Sequence, residues 1–169
     1  MRKGVEIKEA EKKGKGVFAL RNFRKGEVVF VNYRGRSVKE RDLEKILKSE
    51  GDHLNEIDRE TWEIMNPPGR FVNHSCNPNA IPKESSKKKV PYFALKSIKK
   101  GEEITVDYRI NAHTGNTWKC NCGNKNCSGK VTSDFFTLSE SLQKKYLPYS
   151  SKFIKNEYVR RHIVLRTEE

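Results

Sequence analysis

Nothing in the chain approaches the roughly 18 consecutive apolar residues of a membrane-spanning helix, and Met1-Arg2-Lys3-Gly4-Val5-Glu6 has no apolar run behind its charges. No membrane partner is expected, and the chain reads as intracellular and soluble: cytoplasmic in a prokaryote, with the nucleus open to it in a eukaryote. Apolar residues are scarce, 34% of 169, matched by 34% charged. The core is therefore modest, and a metal or bound ligand can add to it. Acidic residues are in deficit, 22 against 35 Lys plus Arg, a net charge of +13. That balance favours a polyanionic neighbour or simply a lysine-coated surface; the cations run along the whole chain, so charge alone does not decide. A G-x-x-x-x-G-K-[ST] phosphate loop, internal repeats and low-complexity segments are all missing. Cysteine is limited to four residues, which in a reducing compartment are metal ligands or isolated thiols sooner than disulfides.

The length suits one domain. From Val5 to Phe30 short apolar runs, Val17-Phe18-Ala19-Leu20 and Val28-Val29-Phe30-Val31, alternate with Gly14, Gly16 and Gly26, the pattern of short strands and tight turns. Ser37-Val38-Lys39-Glu40 has the form of a capping box ahead of Leu43, Ile46 and Leu47 at helical spacing, with Gly51 as the stop. Residues 52–68 carry no clear period, although Trp62, Ile64 and Met65 before Pro67-Pro68-Gly69 suggest a buried anchor. Phe71-Val72, Pro91-Tyr92-Phe93-Ala94-Leu95 and Glu103-Ile104-Thr105-Val106 read as further strands. Thr137-Leu138-Ser139-Glu140 offers a second capping box for a helical tail, whose later part, residues 153–165, can pack on the domain or bind a partner.

Four constellations carry chemistry. Cys120, Cys122 and Cys127 place three thiols within eight residues, and Cys76 is the one cysteine left to complete a tetrahedral all-thiolate zinc site; unrelated free thiols are the bland reading. Lys13-Gly14-Lys15-Gly16-Val17 either lets a ligand approach the backbone or is only a turn. Asn73-His74-Ser75-Cys76-Asn77-Pro78-Asn79, between apolar pairs, is either a self-satisfied polar knot or a ligand site. Tyr33 and Tyr108 are packing residues unless context gives them more, since a phenol with a pKa near about 10 is no general base at neutral pH.

Taken in order, Gly14-Lys15-Gly16-Val17-Phe18-Ala19, Asn32-Tyr33-Arg34-Gly35, Arg70-Phe71-Val72 with the following Asn73 to Asn79 run, Gly101 through Tyr108, and Cys120-Asn121-Cys122-Gly123 through Cys127 resemble the SET-domain protein-lysine methyltransferases with their post-SET cysteine motif. The resemblance implies a mostly β fold of small sheets with a knot-like threaded segment, one short insert helix and a helical C-terminal tail. It divides the chain into a SET domain at 1–109 with a variable insert at 38–68, a post-SET zinc-binding segment at 110–129 and a helical extension at 130–169. It implies S-adenosylmethionine as methyl donor, held by the backbone of Gly14, Lys15 and Gly16 and by Asn73, His74 and Tyr108. Tyr33 and Tyr108 line a narrow channel for the substrate lysine, and structural zinc sits on Cys76, Cys120, Cys122 and Cys127. Val106 stands where many relatives carry an aromatic residue, which implies a roomier pocket open to di- or trimethylation.

The expected activity is therefore methyl transfer to a lysine side chain of a protein substrate, such as a chromatin or ribosomal protein, with the basic surface drawing the enzyme to nucleoprotein. The alternative is a catalytically inactive SET-like zinc module that binds protein or nucleic acid.

Overall fold

The computed structural model describes residues 4–11, 13–50, 54–86, 88–125 and 127–167. Along the chain come β1 (Val5–Ala10), β2 (Gly14–Ala19), β3 (Val28–Tyr33), β4 (Arg36–Lys39), α1 (Leu43–Glu50), β5 (Leu54–Asp58), β6 (Thr61–Ile64) and β7 (Asn73–His74). There follow β8 (Ala80–Pro82), β9 (Lys89–Ala94), β10 (Glu103–Val106), β11 (His113–Lys119), β12 (Lys130–Asp134), α2 (Glu140–Tyr146) and α3 (Lys152–Thr167). The strands form four small sheets, ordered β1-β2-β10-β7, β3-β9-β8, β4-β6-β5 and β11-β12. This is the expected mostly β architecture with an insert helix and a helical tail.

Two apolar clusters hold the sheets together. Val17, Phe23, Val72, Ile104 and Val106 belong to the first, which fills the space between the β2 and β9 sheets. In the second, Ile81 and Ile110 meet Phe135, Leu138, Tyr146 and Ile154. Ile154 is fully buried, so the start of α3 packs on the domain, while Val159 and Ile163 further along are exposed. Among the described residues no helix is long and apolar enough to cross a membrane.

Neither capping box forms, the first because tertiary pairing overrides it. Ser37 lies in β4 opposite Glu63, with Val38 buried against the β6 register. A 3-10 turn, Glu40–Asp42, without a side-chain cap then leads into α1. Pairing a whole strand outweighs a local cap worth about 1 kcal/mol. The stop at Gly51 lies outside the described residues. In the tail, the Thr137 hydroxyl donates back to the Asp134 carbonyl at 2.7 Å, and Ser139 flanks α2 without a capping bond.

The unassigned stretch 52–68 holds the β5–β6 hairpin. Its inward positions include two carboxylates: Glu63 receives Arg34 Nη1 at 2.6 Å and the Gly35 N–H at 2.7 Å, and Glu56 receives the His113 N–H at 2.6 Å. Burial pushes the Glu56 carboxyl up to about 7, with Asp134, Asp58 and Glu40 adding to the rise and the His113 N–H opposing it. The folded chain thus holds this proton more tightly than the unfolded one. Stability is greatest below the ordinary value of 4.5 and falls as pH rises toward about 7. Glu56→Gln is expected to abolish that decline, which is at most about 1.4 kcal/mol per pH unit. Urea unfolding at pH 5 and pH 7.5 would expose it, and an unchanged pH dependence in the variant would refute the assignment.

Candidate active site

β7 is only two residues long, but it runs parallel to β10, with Thr105 opposite Asn73 and Val106 opposite His74. That pairing carries the chain directly on to Tyr108 beside the 72–76 loop. The Tyr108 hydroxyl donates to the Val72 carbonyl at 2.8 Å, and the Tyr108 N–H donates to His74 Nδ1 at 3.2 Å. An amide N–H can only donate, so Nδ1 must be the unprotonated nitrogen and Nε2 carries the proton. Nε2 faces Cys76 Sγ at 3.4 Å. Burial lowers His74 to about 4, against the pull of Asp107, so the ring is neutral at physiological pH. Asp107, with no exposed side-chain surface, is held in a fork by Arg109 Nε and Nη2 at 2.8 and 2.7 Å.

The glycine turn joins the same array. Gly14 sits at φ +69°, a left-handed conformation that suits the tight β1–β2 connection. A Cβ on Gly16 would fall 2.9 Å from Glu103 Oε1 and 3.0 Å from the Ala10 Cβ, so a side chain here would displace the Glu103 carboxylate and crowd Ala10. Asn73 Nδ2 fastens the turn, donating to the Lys15 carbonyl at 3.1 Å and Glu103 Oε1 at 2.7 Å, while Lys13 Nζ holds the other Glu103 oxygen at 2.7 Å. Both ring nitrogens of His74 and the amide of Asn73 are thus turned to protein atoms. A donor molecule here would meet mainly backbone.

The four cysteines converge from the 72–76 loop and the segment joining β11 to β12. Their sulfurs all lie within 4.8 Å of one another, with Cys76 3.6 Å from Cys127 and 3.9 Å from Cys120. Four sulfurs at about 2.3 Å from one zinc ion stand about 3.8 Å apart, whereas a disulfide needs about 2.05 Å. Burial, the Cys127 sulfur and the neighbouring thiols push Cys76 well up, and burial pushes Cys120 up as well. Cys122 is the exception: burial raises it, but the Cys76 and Asn124 N–H groups and the neighbouring sulfurs outweigh burial and lower it to about 7. Four thiolates this close can coexist only around a cation, so the donor set fits zinc.

Tyr33 stands at the end of β3, 49% exposed, with Lys89 Nζ 5.9 Å from its ring centroid. Tyr108 is 44% exposed. Sequence reasoning missed Trp118, whose ring lies 6.0 Å from His74 and 6.3 Å from Tyr108. It also missed Tyr92, buried and stacked on Phe30 at 4.3 Å, whose phenol is pushed up by burial and by Glu63 and Tyr108 nearby. Tyr92, Glu63, Arg34, Asn32 and Asn111 border a small cavity of about 40 Å³, enough for water. Neither residue has a motif to announce it; both are placed by sheet register.

Comparison with known proteins agrees with this geometry. A variant-silencing SET domain-containing protein of Plasmodium falciparum is 33% identical over 141 residues, 74% of this chain and 6% of that protein. An H3 lysine-36-specific histone-lysine N-methyltransferase of Yarrowia lipolytica is 31% identical over 149 residues, 81% of this chain and 19% of its own length. The chain therefore spans under a fifth of either relative. The methyltransferase domain of human histone-lysine N-methyltransferase SETMAR superposes with a TM-score of 0.58 at 26% identity, covering 77% of this chain and 58% of that one. The SET domain family model matches residues 14–109. That match runs from the glycine turn through Tyr108 and takes in more than half of the chain, which makes it a member of the SET-domain family.

Proposed function

We propose that the chain transfers a methyl group from S-adenosylmethionine to the side-chain amine of lysine in a protein substrate. One observation carries the reading: the Tyr108 hydroxyl, oriented by the Val72 carbonyl at 2.8 Å, lies beside the Asn73–His74 strand and the fastened glycine turn. The backbone of Gly14, Lys15, Gly16, Asn73 and His74 would hold the donor, with Tyr108 and Tyr33 bordering the lysine channel. The donor supplies an electrophilic methyl on a sulfonium; the protein's part is to hold, dry and align the amine. Lysine must enter neutral, which at pH 7 costs about 4 to 5 kcal/mol from a pKa near 10.4. A dry site beside a cationic donor disfavours the ammonium and reduces that cost. The Tyr108 and Val72 oxygens then orient the amine lone pair; the phenol is a positioning group, not the proton acceptor.

Zinc on Cys76, Cys120, Cys122 and Cys127 would be structural, since four protein ligands leave no open position. The relatives named for histone lysines make a nucleoprotein substrate, nuclear in a eukaryote, the natural extension. The insert at 38–68, seen as β4, α1, β5 and β6, is where substrate choice would lie.

Incubating the protein with labelled donor and a mixed cell extract tests the proposal. Label recovered in lysine supports it, and tight donor binding with no label on any extract would overturn it. Val106, buried in the first cluster alongside Val72, has no group to hydrogen-bond a pocket water. Exhaustive reaction is expected to yield di- or trimethyl-lysine by mass spectrometry; monomethyl-lysine alone would rule out the roomy pocket.

A further inference from the structure

We propose that the groove between the β2–β3 loop and the β9–β10 loop is a docking site for the phosphate backbone of duplex nucleic acid. The groove is open, about 880 Å³, and Arg21, Arg24, Lys25 and Lys99 line it against one carboxylate, Glu27. Residues 21–27 and 96–102 together carry six cationic side chains and two carboxylates, so four of the chain's thirteen net charges fall within fourteen residues.

Both carboxylates are already engaged. Glu27 takes Arg21 at 2.6 Å and the Arg24 N–H at 2.9 Å, and Glu102 takes the Lys99 N–H and Asn79 Nδ2, each at 3.0 Å. Among the described residues Arg24, Lys25, Lys99 and Lys100 have no ion-pair partner. The loops that present them are fixed to each other: Phe23 and Ile98 exchange backbone bonds at 2.8 and 2.9 Å, and the Lys100 N–H meets Asn22 Oδ1 at 2.8 Å. Like charges held together on a rigid frame repel, and a polyanion relieves that repulsion while releasing its own counterions.

The groove favours a duplex over a single strand. Its only aromatic, Phe23, is 2% exposed and lies beneath the Arg21 guanidinium at 4.0 Å, so there is no platform on which an unpaired base could stack. Position separates it from the methyl site. It lies at the Ala19 end of β2, opposite the Gly14 turn, and the seven Cα-to-Cα steps from Gly101 to Tyr108 reach at most about 25 Å. A duplex held there leaves the donor side open and can bring a neighbouring protein tail within reach of Tyr108.

The inference rests on the nucleoprotein reading above, but its test needs no methyl donor and so fails or succeeds apart from methyl transfer. Anisotropy of a labelled duplex of mixed sequence, measured across a salt series, compares the unchanged protein with Arg24→Glu/Lys25→Glu/Lys99→Glu. The slope of log affinity against log salt is expected to shrink by about 3. A second triple variant of equal charge change, Lys45→Glu/Lys145→Glu/Lys152→Glu, should keep most of the slope, and melting curves of both variants establish that they fold. Equal loss in the two variants would reduce the effect to net charge and overturn the site. So would competition by polyglutamate or anionic vesicles as effective as that by duplex, which would assign the groove to an acidic protein or a lipid surface.

Discussion

Tyr108→Phe is expected to lower methyl transfer by about 10²- to 10³-fold, the loss typical of a positioned hydroxyl or amide removed from a developing reaction centre. The variant takes away one oxygen and little else. The phenol oxygen is 2.8 Å from the Val72 carbonyl, and without it that carbonyl loses its partner. A further tie of this residue to the site runs through its backbone N–H to His74 Nδ1 and survives the substitution. The ring also keeps its neighbours, His74 at 5.3 Å and Trp118 at 6.3 Å between centroids. With 44% of the residue exposed, a lost hydroxyl should cost no more than about 1 kcal/mol of stability. Single-turnover transfer from labelled donor separates the two effects, because donor affinity and melting should stay near those of the unchanged protein. A variant that transfers methyl as fast as the unchanged chain would remove Tyr108 from the reaction; one that fails to fold would show the hydroxyl to be structural.

The sequence reads well where unusual residues fall together. Asn73, His74 and Cys76 stand out as a polar run between Phe71-Val72 and Ala80-Ile81 that chemistry alone leaves open between a self-satisfied knot and a ligand site, and the cysteine count leaves a single fourth ligand. The β5–β6 hairpin was hidden for a physical reason. Its inward-facing Glu56 and Glu63 break the apolar alternation by which strands are recognised, and the partners that make those carboxylates tolerable, Arg34 and the Gly35 and His113 amides, lie far away in sequence. The capping boxes misled in the opposite direction. Local rules saw a helix start at Ser37, but the pairing of residues 36–39 with 61–64 could be judged only once both strands were known. Trp118 and Tyr92 show the same limit at the site itself: register brings them to His74 and Tyr108, and no spacing along the chain encodes that.

Removing zinc from the four-cysteine cluster is expected to weaken donor binding as well as stability, because Cys76, one of its proposed ligands, sits beside His74 of the proposed donor loop. The β11–β12 ribbon flanks the cysteine segment, with the Cys120 N–H bonded to the Gly129 carbonyl at 2.8 Å and Trp118 paired with Val131. A two-stranded ribbon alone is marginal in water; Glu56 and the buried Val131 help to hold this one, and a bond from its cysteines through zinc to Cys76 would hold the cysteine end. Structural zinc sites in small peptides supply about 10–16 kcal/mol at pH 7. If only about 3 kcal/mol of that reaches this fold, chelation lowers the melting temperature by about 10 °C for a chain of this length. The effect on the donor follows from the His74 tautomer. With zinc on Cys76 the Nε2 proton would face a thiolate; with a neutral Cys76 thiol in its place that contact weakens, and the Tyr108 N–H on Nδ1 and the neighbouring rings are left to hold His74. Outer partners of metal ligands commonly change affinity or activity by about 10- to 100-fold, so donor affinity should fall by at least about tenfold. Trp118, 6.0 Å from the His74 ring, supplies the readout: in a Trp62→Phe background its fluorescence should shift on chelation and recover on adding zinc. Cys76→Ser should reproduce the chelated protein even with zinc present, since it removes the one ligand contributed by the donor loop. Donor affinity that survives both treatments unchanged would break the link and leave the metal as a clip for the β11–β12 ribbon alone.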